Sequence, residues 1–328
     1  MSKEEQLLDF LNQASPEKLK VEEDLGFGFV RLNVTEAQAR QAKDDIRSVE
    51  DALIELLRNS RDAKADKIFI ASWRKENLRN IVVIDNGEGV PEKLQQKIFE
   101  PRVTSKLNNL ILDGYGVHGR GMALFSIASN CLQTKVVFSK PKTGTVIKII
   151  ADANVLPEKA NQSSWPAFNS KNQITEGPQN LIRRSVEFNI QNNQMDMYLG
   201  TNAEILNKLL SLDLLNLNSS NASALQKDAK VFGLDVSFRN CQRVMYGEIN
   251  ILPTLLKQAN FKHRRGSSSR KTVIPLSSEE MKAILSSTKK LVNNQTADYY
   301  LKVGDEASIT KAGNKLKITL PLENDEQV

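Results

Sequence analysis

The sequence predicts an α+β fold, and three observations carry that prediction. Residues 50–65 place apolar side chains at helical spacing. Two strand-like runs, 67–73 and 80–85, follow directly. A second apolar helix, 122–131, is then followed by two more strand-like runs, 135–139 and 143–151. The first helix is the best defined. Ala, Leu, Glu and Arg, all good helix formers, dominate Glu50 to Ala65, and Ala52, Leu53, Leu56, Leu57 and Ala63 fall on one stripe that should face a core. Glu55 and Asn59, four residues apart, share a face one turn above the other, with Asp62 on the next turn along that edge. By itself such a ladder is also what a solvated helix face looks like.

The run Lys67-Ile-Phe-Ile-Ala-Ser-Trp73 is rich in β-branched and aromatic residues and reads as a strand. Asn80-Ile-Val-Val-Ile-Asp85 reads as a second strand across a polar turn. It ends in Asp85-Asn-Gly87-Glu-Gly89-Val-Pro91, a turn through which backbone could approach a ligand closely, although Asn-Gly is also a plain turn signal. Pro91 should open a short helix to about Phe99. Residues 100–113 lose any period, and long aperiodic segments in compact domains are often lids. They lead into Gly114-Tyr-Gly116-Val117-His118-Gly119-Arg120-Gly121 and then an apolar helix. A glycine-rich loop before a helix N-terminus can cradle phosphate through free amides and the helix dipole. A flexible hinge before a buried helix would read the same way.

The chain has 328 residues, enough for two domains. Apolar content of 40% and charged content of 26% are ordinary for a globular protein. The net charge of +6 permits an acidic partner without requiring one. Cys131 and Cys241 form no metal-ligand pattern and fit a reducing compartment. His118 and His263 leave little room for a zinc or Ser-His-Asp site. No apolar run reaches membrane-spanning length, and the charged N-terminus lacks the apolar core of a signal peptide. These features together give the expectation of a cytoplasmic protein with no membrane contact.

The remaining elements are read in order. Residues 3–13 look like a short amphipathic helix, 21–34 like loop plus strand, and Thr35 like the cap of a helix to about Asp45. Residues 152–180, rich in Asn, Gln, Ser and Pro, read as a linker or surface excursion. Beyond it, 184–190, 195–199 and 231–238 look strand-like and 201–210 helical. Ser277 or Ser278 should cap a helix to about Val292, and short strands should run from Asp298 to Leu322. Lys262, Arg264, Arg265, Arg270 and Lys271 make a basic loop that is either solvated or a nucleic-acid contact. The expected organisation is an N-terminal arm at 1–34, a first domain at 35–151, a linker at 152–180 and a mixed α/β region at 181–328.

The order of these elements resembles the GHKL ATP-binding superfamily, which includes type II topoisomerase ATPase subunits, MutL, heat-shock chaperone ATPases and histidine kinases. Ile54-Glu-Leu-Leu-Arg-Asn-Ser-Arg-Asp-Ala-Lys-Ala65 is similar to the first box of MutL and the topoisomerases. Thr104-Ser-Lys106 is similar to the MutL lid, and Val117-His-Gly-Arg-Gly121 to the gyrase glycine loop. The resemblance implies a two-layer α/β sandwich of the Bergerat type over residues 48–151, with ATP and Mg²⁺ as ligands. It implies that Asn59 holds the metal and that Glu55 orients or deprotonates the attacking water. Asp85 would accept the adenine amino hydrogen, with Gly87 and Gly89 beside the base and Thr145 holding a water that reads it. Thr104 and Lys106 would belong to the lid, and the amides of Gly116, Val117, His118, Gly119, Arg120 and Gly121 would wrap the triphosphate. Asp62 would be structural.

Three activities follow from the resemblance: an ATPase that couples lid closure to conformational change or to a homodimer, a histidine kinase-like phosphotransferase acting on a protein partner, or a non-hydrolysing ATP-dependent interaction module. Glu55 favours the first, because histidine kinases usually carry asparagine there. The stretches Lys97 to Lys106 and Lys317 to Leu322 keep the kinase reading open, since both resemble kinase segments.

Overall fold

The computed structural model describes residues 21–33, 35–104, 111–113, 116–118, 121–169, 173–214, 217, 220–259, 278–296, 301–312 and 315–324. The chain divides into two compact units, Met1–Arg264 and Arg265–Val328. The expected helix at 3–13 and the basic loop at 262–271 lie outside the described residues.

The first unit begins with the hairpin β1 (Val21–Gly26) and β2 (Phe29–Leu32), followed by α1 (Glu36–Lys43) and α2 (Val49–Asp62). Strands β3 (Lys67–Lys75) and β4 (Leu78–Asp85) come next, then β5 (Val103–Thr104), β6 (Ile111–Asp113) and β7 (Gly116–His118). Helix α3 (Ala123–Asn130) precedes β8 (Gln133–Lys140) and β9 (Gly144–Asp152). After β10 (Ala167–Phe168) and β11 (Ile174–Glu176) come α4 (Leu181–Gln191), β12 (Asp196–Gly200), α5 (Asn202–Ser211), α6 (Ala222–Val231) and α7 (Phe238–Met245). The central sheet has the order β12-β3-β4-β9-β8. β12 runs parallel to β3, and every other neighbouring pair is antiparallel.

The strand sequences explain why this sheet is covered on both sides. Ile68-Phe-Ile-Ala71 and Ile81-Val-Val-Ile84 are continuous apolar runs rather than alternating ones, as a strand buried on both faces requires. Ile68, Ile70, Ile81 and Val83 point into a core with α2 and α4, through Leu53, Leu57, Val186 and Phe188. Phe69, Ala71, Val82 and Ile84 point the other way, to Ile205, Leu206 and Leu209 of α5 and to Leu225 and Cys241 of α6 and α7. The first face is the α/β sandwich that the first half of the sequence predicts. The second is supplied by the chain beyond residue 196.

Helix α2 starts where its sequence says it should. Ser48 has extended backbone and its hydroxyl oxygen accepts the Asp51 amide at 3.2 Å, an N-cap that satisfies one of the helix's orphan donors. Glu50 and Asp51 in the first turn complement the positive end of the dipole.

Four regions differ from the sequence reading. Residues 184–190 are part of helix α4 and 231–238 are not a strand. Residues 91–99 form two 3₁₀ turns, Glu92–Leu94 and Lys97–Phe99, instead of one helix. Residues 152–180 are anchored: Leu156 and Phe168 sit in the α2-side core, and Glu158 accepts from Arg79 at 2.6 and 3.2 Å and from Arg74 at 2.8 Å. The division between units falls after Arg264, because parallel pairing of β12 with β3 draws residues 181–259 into the first unit.

Residues 21–34 also do more than form an arm. Their hairpin pairs with β5, Val30 opposite Thr104 and Arg31 opposite Val103. The second unit holds α8 (Ser278–Thr296), the pair β13 (Leu301–Val303) and β16 (Leu322–Asn324), and the hairpin β14 (Ser308–Ala312) and β15 (Lys315–Thr319), in line with the helix and short strands expected there. Among the described residues, no helix is long and apolar enough to cross a membrane.

Candidate nucleotide site

The site is built where the C-terminal half of α2 meets the end of β4. Because α2 buries Leu53, Leu56 and Leu57 against the sheet, Glu55 and Asn59 are left on its half-buried edge. Ser60, the residue after Asn59, is buried, and its hydroxyl donates to Asp85 Oδ2 at 2.9 Å. This bond ties the helix that carries Glu55 and Asn59 to the strand end that carries Asp85. Asp85 also accepts the Gly87 amide at Oδ1, 2.9 Å away, and the Thr145 amide across the β4–β9 pairing. Burial pushes its carboxyl from 3.8 up to about 6, against the pull of the hydrogen bonds from Gly87, Ser60 and Thr145.

Thr145 is itself buried, with its hydroxyl 3.0 Å from that of Ser139. Ser139 accepts the Val90 amide at 2.7 Å, which closes the far side of the turn. Within that turn the glycines make room for protein. A Cβ on Gly87 would sit 2.6 Å from the Ala63 carbonyl oxygen at the end of α2. One on Gly89, where φ is +74°, would sit 2.2 Å from the Lys140 carbonyl oxygen. The turn is therefore wedged between the helix end and the β8–β9 connection, and only glycine fits at either point.

Asn59 Nδ2 is buried and has no hydrogen-bond partner among the described residues. A buried donor left unpaired is costly, and a half-turn of the amide would present the oxygen at the same place instead. Glu55 is ion-paired through Oε1 with Nη1 of Arg58, one turn on, whose side chain is almost fully buried. Asp62 accepts from Nε of its neighbour Arg61 at 3.1 Å.

The other residues named from the sequence fall into a second group. Thr104 is buried in β5, and Gly121 lies against it, so close that an added Cβ would come within 3.1 Å of the Thr104 side chain. Gly116, Val117 and His118 form β7 and pair with Asp113, Leu112 and Ile111, so this part of the glycine stretch is a strand here. Lys106, Gly119 and Arg120 lie outside the described residues. Ser60, Ser139 and Arg58 were missed by the sequence reading. For Ser60 the signal was its place in the helix: it lies on the buried side next to Asn59, and a polar residue there needs a partner. Among the described residues no group of three or more His, Cys, Asp or Glu is placed to hold a metal.

Residues 46–184 match the model of the family described as histidine kinase-, DNA gyrase B-, and HSP90-like ATPase. The DNA mismatch repair protein MutL of Thermus thermophilus is 40% identical over 81 residues, 24% of this chain and 14% of that protein. MutL of Thermus aquaticus is 41% identical over 81 residues, 24% of this chain and 15% of its own length. The match thus spans a small fraction of these relatives. Among solved structures, the catalytic domain of histidine kinase ThkA superposes with a TM-score of 0.22 at 22% identity, covering 32% of this chain and 65% of that one. The N-terminal domain of a DNA repair protein gives 0.29 at 18% identity, covering 49% and 51%.

Proposed function

We propose that this chain, whose residues 46–184 belong to the histidine kinase-, DNA gyrase B- and HSP90-like (GHKL) ATPase family, binds ATP with Mg²⁺ and hydrolyses it. The observation that carries the reading is the Ser60–Asp85 bond, which joins the Glu55–Asn59 edge of α2 to the strand end bearing Asp85 and Thr145. A residue pair suited to metal and water and a residue pair suited to a base edge are thereby held on one rigid support.

The roles of the residues are part of this proposal. Asp85, ionised at neutral pH, accepts the amino hydrogen of adenine, and Thr145 beside it holds a water against the base. Asn59 is the side chain suited to Mg²⁺, an ion that takes one or two protein oxygens and completes its octahedron with phosphate oxygens and water. When bound, the ion would neutralise charge on the phosphates. Glu55, one turn before Asn59, aligns the attacking water and takes its proton. The expected result is that MgATP binds with measurable heat to the wild-type chain and that Asn59→Ala, folded by circular dichroism, loses that heat. Equal binding by the two proteins would remove Asn59 from the site.

We read residues 101–121 as the lid, with its root at the Val30–Thr104 pairing, and we read its closure as the step that brings two copies of the chain together. Amide exchange in peptides from this segment should slow on adding a non-hydrolysable ATP analogue, and light scattering of the same sample should report the mass of two chains. Unchanged exchange would discard the lid, and an unchanged mass would discard the dimer.

A further inference from the structure

Glu55 does not stand alone at its end of α2. A cavity of about 350 Å³ opens beside it, and its lining includes Asp45, Asp51, Ile54, Glu55, Arg58 and Arg184. Arg58 reaches it from α2 and Arg184 from the first turn of α4. That turn is firmly placed. Asn180, fully buried, caps α4 by accepting the Arg183 amide at 2.9 Å and donates to the carbonyls of Asn161 and Ser164. Leu181, Ile182 and Val186 bury the other side of the helix. Glu187, one turn on, accepts from Arg184 Nη1 at 3.3 Å and from Arg183 Nε at 2.7 Å.

We infer that Arg184 and Arg58 form the terminal-phosphate subsite of the nucleotide site, an inference that rests on the ATP-binding reading above. A guanidinium fork matches a pair of phosphate oxygens, and two forks converging on one cavity suit a tetrahedral oxyanion better than any other small group. Among the described residues, three carboxylates and two guanidiniums line the cavity, one negative charge in excess. The fitting ligand is therefore a phosphate that arrives with a divalent cation, and not a free anion.

The Glu55–Arg58 ion pair gives the subsite a second consequence. Phosphate oxygens that accept from Arg58 compete with Glu55 for the same hydrogens. Binding of the terminal phosphate then releases the Glu55 carboxylate toward water. In the step itself the water oxygen bonds to the γ-phosphorus as the bond from γ-phosphorus to the β,γ-bridging oxygen breaks. That electron pair leaves with ADP, and the water proton passes to Glu55 and on to solvent. Arg184 contacts only the group being transferred, so it matters for ATP and not for ADP.

The test compares MgATP and MgADP binding by calorimetry in the wild-type full chain, Arg184→Ala and Arg184→Lys. Losing hydrogen bonds from a charged donor should weaken MgATP by about tenfold to a hundredfold in Arg184→Ala and leave MgADP unchanged. Arg184→Lys keeps the charge and the Glu187 pairing, so it folds and recovers part of the ATP preference. Equal weakening of both nucleotides, or of neither, would overturn the subsite, as would a wild-type chain that does not prefer ATP to ADP. If the wild type binds neither nucleotide, the ATP-binding reading fails and this inference fails with it. If the wild type prefers ATP and Arg184→Ala does too, only the subsite fails.

Discussion

Glu55→Gln should bind MgATP as well as the wild type and turn it over about a hundredfold to ten-thousandfold more slowly, the usual cost of losing a general base. The carboxylate sits one helical turn before Asn59, on the side away from Asp85 and Thr145, so it has no part in holding the base. Glutamine is the better probe than alanine because of Arg58. That guanidinium is almost fully buried and ion-paired with Glu55. Removing one partner of a buried pair typically costs about 3–5 kcal/mol, so Glu55→Ala risks measuring stability instead of chemistry. The amide oxygen of the substituted glutamine can still accept from Arg58 but cannot take a proton from water. Phosphate release under saturating MgATP, with binding measured in parallel, checks the expectation. Turnover at the wild-type rate would remove Glu55 from the mechanism, and phosphotransfer to a separate protein substrate would become the reading to test.

The sequence made the local parts of this site legible and left its long-range parts hidden. Glu55, Asn59 and Asp85 stand at positions defined by local pattern, a helix edge or the end of an apolar strand, and the family resemblance made them candidates. The apolar runs Ile68–Ala71 and Ile81–Ile84 were legible as strands, yet nothing local said which later segments would cover the second face of their sheet. Residues 231–238 show the limit of periodicity. Phe232, Leu234 and Val236 are buried at every second position, the spacing of a strand, but they connect two helices. The amides of Gly233 and Leu234 close α6 on the carbonyls of Lys230 and Ala229, and Ser237 caps α7. Period two reported burial, whereas the hydrogen bonds were fixed by capping.

The same competition hid Arg184. Ser185-Val-Glu-Phe-Asn-Ile190 alternates and reads as a strand. As a helix, the same residues put Ser185, Val186 and Asn189 inside and turn Arg184 toward Glu55. The start signal was present in Asn180, an N-cap residue before Leu181-Ile182. The glycines of the Asp85 turn were legible as glycines but not for their reason. Gly87 and Gly89 are required by Ala63 and Lys140, which are neighbours only after folding.

Asp85→Asn should weaken MgATP by about tenfold to a hundredfold while leaving the unliganded protein at least as stable at pH 7. The two effects have one cause. Asp85 is buried, and burial raises its folded-state carboxyl from 3.8 to about 6. Between those values the folded chain keeps a proton that the unfolded chain has lost. Stability therefore falls as pH climbs through the window, by about 3 kcal/mol for a rise of this size, and the loss persists above it. Asparagine never ionises and escapes it. Its Oδ1 can accept the Gly87 amide, and its Nδ2 can donate to Ser60 Oγ, so these two partners are kept. Thermal melts should thus coincide near pH 4 and separate by pH 7, with the variant higher. A variant less stable by the same margin at both pH values would mean that the charged hydrogen bonds outweigh the burial. Recognition runs the other way. The adenine amino group donates, and the variant's amide presents a donor where the carboxylate accepted. Wild-type affinity for MgATP should rise as pH climbs through about 6, when the carboxyl ionises, and the variant's should stay flat. Equal affinity and equal pH dependence in the two proteins would place the base somewhere other than at Asp85.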